Sequence, residues 1–177
     1  LFAWDAFAVF MRVCVQAFDR DVMAGLVDVW ERVLSWGLGV LVGLRFEVRG
    51  REHIVEGPAI YAAKHQSAWD TFVYFLILRN PSYVLKKELL SIPVWGWCAL
   101  KYGAVAVDRD GGGAALKAML SDVSDRLNKG MSLVIFPEGT RSQPGVRQAY
   151  HPGIAAIYGR AEVPVVPVAL NSGLFWG

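Results

Sequence analysis

The chain holds only three histidines, His53, His65 and His151. Chemistry that needs an imidazole base near neutral pH must use one of them. His53 lies in Arg51-Glu52-His53-Ile54, a polar surface turn by composition. His65 stands in Lys64-His65-Gln66-Ser67-Ala68-Trp69-Asp70, after an apolar run and before a helical pattern. Strand-to-helix turns at carboxyl ends of strands are where α/β folds place ligands. Asp70 follows His65 by five residues. On one continuous helix five steps turn the chain by about 500°, and the side chains diverge. With His65 in the turn and Asp70 in the first helical turn, they can meet. A carboxylate on one ring nitrogen fixes the tautomer and stabilises the imidazolium, and the other nitrogen can take a proton from a hydroxyl. A structural alternative is a capping box, Ser67 as N-cap and Asp70 as its acid. The two are compatible, since a capped helix would hold Asp70 in place.

A second constellation is Phe136-Pro137-Glu138-Gly139-Thr140-Arg141-Ser142. An apolar strand delivers a carboxylate, a glycine and an arginine into one tight turn. Gly139 allows close backbone approach, and Arg141 offers a planar fork for phosphate or carboxylate. The plain alternative is a polar turn with a surface Glu–Arg pair. In Gly103-Ala104-Val105-Ala106-Val107-Asp108-Arg109 another apolar strand ends in a charged pair. Arg109 precedes three glycines and a helix start, either an anion site or a flexible connector. Val163-Pro164-Val165-Val166-Pro167-Val168 is a buried strand by composition, with nothing reactive.

Several chemistries are disfavoured. The triple glycine lacks the Lys-Ser/Thr of a phosphate-binding P-loop, and there is no Gly-x-Ser-x-Gly elbow for a serine hydrolase. No His/Cys/carboxylate spacing matches a metal site. Cys14 and Cys98 sit in apolar surroundings, read as structural, and fit a reducing compartment. A net charge of +2 argues against a nucleic-acid partner. Apolar residues reach 54%, charged residues 19%, and mean hydropathy is +0.34, which excludes disorder and argues against a chain that meets only water.

The elements that must position these groups divide near residue 44. Residues 1–44 carry three positive and five negative charges among many Trp, Val, Leu and Phe. Helices over roughly 3–18 and 22–43, with the Asp19-Arg20-Asp21 turn between them, give a helical hairpin. Its longest uncharged run, Val33 to Leu44, spans only about 18 Å, which does not support a transmembrane helix. Its tryptophans suit a membrane interface, and an ordinary buried helix pair is the alternative. Residues 45–177 alternate α and β. Strands are expected at 45–49, 59–63, 83–85, 104–107, 132–136 and 163–170, the last an edge or irregular strand because of its prolines. Helices are expected at 68–78, from about 116 to 127 and at 153–158, with a compact aromatic segment at 93–100. The fold class is α/β, a mixed, mostly parallel central sheet flanked by helices.

Taken together, His-x4-Asp at 65–70, Gly-x-x-(Phe)-x-x-Arg at 103–109, intact Phe-Pro-Glu-Gly-Thr-Arg-Ser at 136–142 and the Val-Pro-x-Val-Pro-Val strand at 163–168 resemble the glycerolipid acyltransferases, specifically the bacterial 1-acyl-glycerol-3-phosphate (lysophosphatidic acid) acyltransferases. The resemblance covers about residues 45–173. It implies transfer of a fatty acyl group from acyl-carrier-protein or acyl-CoA to the sn-2 hydroxyl of lysophosphatidic acid, giving phosphatidic acid. His65 would be the general base and Asp70 its orienting partner. Lys86, Arg109, Glu138, Gly139, Thr140 and Arg141 would form the glycerol-phosphate site. No metal and no resident cofactor is implied. The implied place is the cytoplasmic face of the inner (plasma) membrane, peripheral or monotopic, with residues 1–44 docking there. Three residues depart from the family pattern: Lys64 where Asn is common, Ala106 in place of Phe, and His151 where Lys is frequent. Family members usually continue past residue 173, so the domain is expected to be truncated at its C-terminus. The alternatives are an acyltransferase for another lyso-lipid (lyso-ornithine lipid, glycerol 3-phosphate or another lysophospholipid), a thioesterase, and a non-catalytic lipid-binding module.

Overall fold

Five short apolar runs build the sheet: β1 (Ile60–Ala63), β2 (Pro81–Lys86), β3 (Val105–Val107), β4 (Ser132–Ile135) and β5 (Val165–Val168). The structure is a computed structural model and describes residue 15 and residues 17–176. The strand order is β3-β2-β4-β1-β5, and every pairing is parallel. Strands covered on both faces read as continuous apolar runs, as SLVI and IYAA do here. Ile60 is level with Leu133 on one side and Val165 on the other. The prolines sit where a parallel ladder tolerates them. Pro81 is the first residue of β2, and Pro167 lies on β5, an outer strand of the sheet.

Alternation divides the core. One face carries Ala59, Tyr61, Ala63, Tyr83 and Val134, covered by Val73, Tyr74 and Leu78. The other carries Ile60, Leu133, Ile135 and Val105. Three residues of α4 (Gly112–Asn128), Met119, Val123 and Leu127, cover that second face, with Ile157 of α5 (Gly153–Arg160). Between β1 and β2 lie a 3-10 turn, Ala68–Thr71, and the single-turn α2 (Tyr74–Ile77). Between β2 and β3 lies α3 (Trp95–Tyr102).

The helix α1 (Arg20–Gly37) starts at Asp19, whose carboxylate accepts from the Val22 N–H at 2.9 Å. It ends through a π turn, Leu38–Val42, closed by Gly43 in a left-handed conformation. It packs on α2 and α3 and buries Met23 and Glu31. Its outer face carries Val22, Leu26, Val29, Val33, Trp36 and Val40, 45–67% exposed. Among the described residues no helix is long and apolar enough to cross a membrane.

Three expectations are corrected. Residues 45–49 form no strand. Phe46 instead lays its ring edge-on to Trp69 at 5.2 Å, so the alternation reports a half-covered surface rather than a ladder. The helix expected over 68–78 is divided into a 3-10 turn and α2, because the Asp70 carboxylate is drawn back onto the Gln66 and Ser67 amides. The aromatic segment at 93–100 is the helix α3. The first hairpin helix, expected over 3–18, and Cys14 fall almost wholly outside the described residues.

Candidate active site

In a parallel sheet all carboxyl ends point the same way. His65 follows β1, Lys86 closes β2, Arg109 follows β3 and Glu138–Arg141 follow β4. The four chain segments therefore share one edge of the sheet, where open α/β folds bind ligands.

His65 Nδ1 lies 3.1 Å from Asp70 Oδ2. That oxygen also accepts from the Gln66 N–H at 2.6 Å and the Ser67 N–H at 2.8 Å, and the Ser67 hydroxyl donates to Oδ1 at 3.1 Å. The carboxylate is 0% exposed. Burial alone would push its pKa up. The bonds from His65 and from the Gln66 and Ser67 amides, with the Ser172 side chain nearby, outweigh burial and hold it below the ordinary carboxylate value. Asp70 is therefore ionised at neutral pH, and Nδ1 carries the proton it donates. In the neutral ring this bond selects the tautomer in which Nε2 keeps its lone pair. Phe136 stacks on the imidazole at 4.2 Å and 20°, which fixes the ring plane. The return bond of the capping box and the carboxylate–imidazole bond coexist in one side chain.

The loop after β4 is stitched to this turn. Ser142 donates to the His65 carbonyl from its N–H at 2.8 Å and from its hydroxyl at 3.0 Å. Lys64 Nζ reaches Glu138 Oε1 at 3.2 Å. Glu138 is 4% exposed, and its Oε2 is buried without a partner.

Arg109 extends across the end of β2 and donates from Nη2 to the Gly139 carbonyl. Gly139 has φ +67°, and a Cβ there would lie 2.6 Å from His151 Cδ2 and 3.0 Å from Arg109 Nη2. Only glycine admits this approach. The His151 N–H donates to the Pro137 carbonyl at 2.8 Å, which brings its ring over the loop. Lys87, not Lys86, pairs with Asp108 on this edge, at 3.1 Å. That bond leads the interactions that hold the Asp108 carboxyl below its ordinary value. Lys86, Thr140 and Arg141 are exposed on the same edge.

The structure thus joins His65 to Asp70, Arg109 to Gly139, and both loops to each other. Lys64, Ser142, His151 and Ser172 also contribute to the site. Two of them were legible as departures, Lys64 and His151, since both sit where a different residue is common. Ser142 ends its motif without an assigned task, and nothing in the sequence marks Ser172. Among the described residues no cluster of three metal-ligating side chains is present. On the burial side, the Cys98 thiol is pushed up by desolvation, in keeping with a structural residue.

The acyltransferase family model matches residues 45–171. The 1-acyl-sn-glycerol-3-phosphate acyltransferase of Pseudomonas aeruginosa is 39% identical over 151 residues, covering 85% of this chain and 59% of its own length. The enzyme of that name from Limnanthes alba is 30% identical over 163 residues, covering 92% and 54%. The human alpha form is 29% identical over 143 residues, covering 80% and 50%. The chain therefore spans between half and three fifths of these relatives. The crystal structure of the 1-acyl-sn-glycerophosphate (LPA) acyltransferase from Thermotoga maritima superposes with a TM-score of 0.64 at 22% identity, over 93% of this chain and 65% of that one. At that identity the likeness concerns the fold.

Proposed function

Because this chain belongs to the acyltransferase family, we propose that it moves a fatty acyl group from the thioester of CoA or acyl-carrier-protein to the sn-2 hydroxyl of lysophosphatidic acid, giving phosphatidic acid. The observation that carries the reading is the buried His65–Asp70 pair, held on the same sheet edge as the Arg109–Gly139 contact.

In this reading His65 Nε2 takes the proton of the acceptor hydroxyl as its oxygen attacks the thioester carbonyl. Asp70, already ionised, stabilises the imidazolium without taking the proton. When the tetrahedral intermediate collapses, the carbon–sulfur bond breaks, and the imidazolium returns the proton to the leaving thiolate. No acyl-enzyme is needed. Arg109 and Arg141 hold the phosphate, with Lys86 adding positive charge. Fixing the phosphate sets the hydroxyl within reach of His65, which converts an encounter of two reactants into a positioned one. Glu138, Gly139 and Thr140 shape the loop that presents Arg141. The chemistry calls for no resident cofactor or metal.

Residues 1–44 form the docking element and 45–177 the transfer domain. The outward apolar stripe of α1 supports docking on a membrane face, where a lipid acceptor and a water-soluble donor carrier can both be met. The place proposed for it is the cytoplasmic face of the inner membrane, peripheral or monotopic.

The test is turnover of labelled acyl-CoA and acyl-carrier-protein against a panel of lyso-lipids, for the natural sequence and for His65→Ala. Lysophosphatidic acid should be the preferred acceptor. The variant should lose about 10²–10⁴ in kcat, with lysophosphatidate binding almost unchanged. Near-natural turnover by His65→Ala would reject the base. Equal release of free fatty acid without acceptor would point to a thioesterase.

A further inference from the structure

His53 lies in a short surface turn, and His65 is the proposed base. That leaves His151 on the edge beside the site without a task. It stands just before α5, and its N–H donates to the Pro137 carbonyl at 2.8 Å, which ties it to the loop after β4. The residue is exposed. Among the described residues no hydrogen bond or ion pair engages its ring nitrogens.

Gly139 sets where the ring lies. The point that a Cβ would occupy there is 2.6 Å from His151 Cδ2, 2.8 Å from His151 Nε2 and 3.0 Å from Arg109 Nη2. With no side chain on the glycine, an imidazole and a guanidinium approach the same stretch of backbone. Both nitrogens lie within 3.0 Å of one point, so less than about 6 Å separates them. Two N–H···O bonds to a charged oxygen, about 2.7–2.9 Å each, cover that span. An oxyanion can therefore meet both groups at once. A guanidinium carries several N–H donors, and the Gly139 carbonyl takes one from Arg109. The carboxylates next to these residues in the chain are engaged by lysines. Asp108 pairs with Lys87 at 3.1 Å, and Glu138 Oε1 with Lys64 at 3.2 Å. The imidazole and the guanidinium thus face solvent together with donors to spare, and a phosphate between them would satisfy both.

We infer that His151 is a further binding residue for the phosphate of the acceptor, donating from Nε2 beside Arg109. The inference rests on the acyl-transfer reading and adds a residue to its phosphate site.

The test compares the full natural chain with His151→Phe, His151→Gln and His151→Lys, in acylation of lysophosphatidate with inorganic phosphate as a competing anion. Phenylalanine keeps a flat ring and removes both nitrogens. In that variant KM for lysophosphatidate should rise roughly three- to tenfold, the worth of one hydrogen bond. Inhibition by inorganic phosphate should weaken by the same factor. His65 and Asp70 are untouched, so kcat should change by less than about threefold. Melting should stay within about 2 °C, as expected at an exposed position. Glutamine can donate from its amide and lysine brings a charge, so each should recover most of the KM. A natural KM in His151→Phe, with lysophosphatidate turned over by the natural chain, would overturn this inference and leave the acyl-transfer reading standing. Equal rises of KM in all three variants would also overturn it, because they would mark the ring as packing. A raised KM with unchanged inhibition by phosphate would do the same, placing the ring against another part of the acceptor. A natural chain that acylates no lysophosphatidate would overturn both.

Discussion

Gly139→Ala tests the link between loop geometry and phosphate binding. The residue has φ +67°, so alanine there costs about 1–2 kcal/mol of backbone strain. For a chain of this size each kcal/mol is roughly 2–4 °C, and melting should fall by roughly 2–8 °C. The new Cβ would also stand 2.6 Å from His151 Cδ2, 2.8 Å from His151 Nε2 and 3.0 Å from Arg109 Nη2. Carbon atoms prefer about 3.5–4.0 Å, so the imidazole must retreat by close to 1 Å and the guanidinium by less. Arg109 would lose its anchor on the Gly139 carbonyl. A hydrogen bond to a charged group is worth about 1.5–3 kcal/mol, so KM for lysophosphatidate should rise roughly ten- to hundred-fold. His65 and Asp70 are untouched by the substitution, and kcat should change by less than about threefold. Steady-state acylation across acceptor concentration, beside a thermal melt, reads both numbers. Adding His151→Ala removes the larger clash and should recover part of the KM. If melting falls as expected while KM stays natural, Arg109 does not hold the phosphate and the assignment is wrong.

Asp70→Asn should cut kcat by about 10²–10⁴, because a neutral amide cannot stabilise the imidazolium. It should also change the acid limb of stability. The Asp70 carboxyl has a lowered folded pKa, so its contribution is complete above its unfolded value near 4 and is lost as pH falls through the folded value. Urea unfolding between pH 2 and 7 should therefore show a shallower acid loss in the variant, and parallel curves would contradict the account. Glu31 behaves with the opposite sign. Burial raises its carboxyl from 4.5 to about 8 with Oε1 unpartnered, so ionising it costs progressively more stability between those values. Glu31→Gln should be more stable than the natural chain by roughly 2–3 kcal/mol at pH 7 and by almost nothing at pH 4. A constant difference across that range would remove the buried carboxyl as the cause.

Much of the site was legible because it is written in short, locally complete signals. His65 and Asp70 sit five residues apart, and the turn that joins them is built from the residues between. Phe136–Ser142 likewise carries its strand end and its charged turn together. What joins distant segments was not legible. Nothing in the spacing says that Arg109 would cross the end of β2 to reach Gly139, that Lys64 would find Glu138, or that His151 would lie over the glycine. Those contacts depend on the strand order, which places β2 between β3 and β4. Local patterns also mislead where they record coverage rather than hydrogen bonding. Arg45–Arg49 alternates because Phe46 rests on Trp69, yet it joins no ladder. The apolar run 68–78 looks like one helix, yet the same carboxylate that orients His65 pulls its first turn into a different register.

The double bond from Ser142 to the His65 carbonyl has an electrostatic consequence. A peptide oxygen is the negative end of a dipole, and this one belongs to the residue proposed as base. Left bare, it could turn toward an attacked carbonyl as that group gains negative charge, and repel it. Two donors from one serine occupy both its lone pairs. The proposed base is thus left with only its ring to offer a reactant, while its own backbone dipole is spent inward on the neighbouring loop.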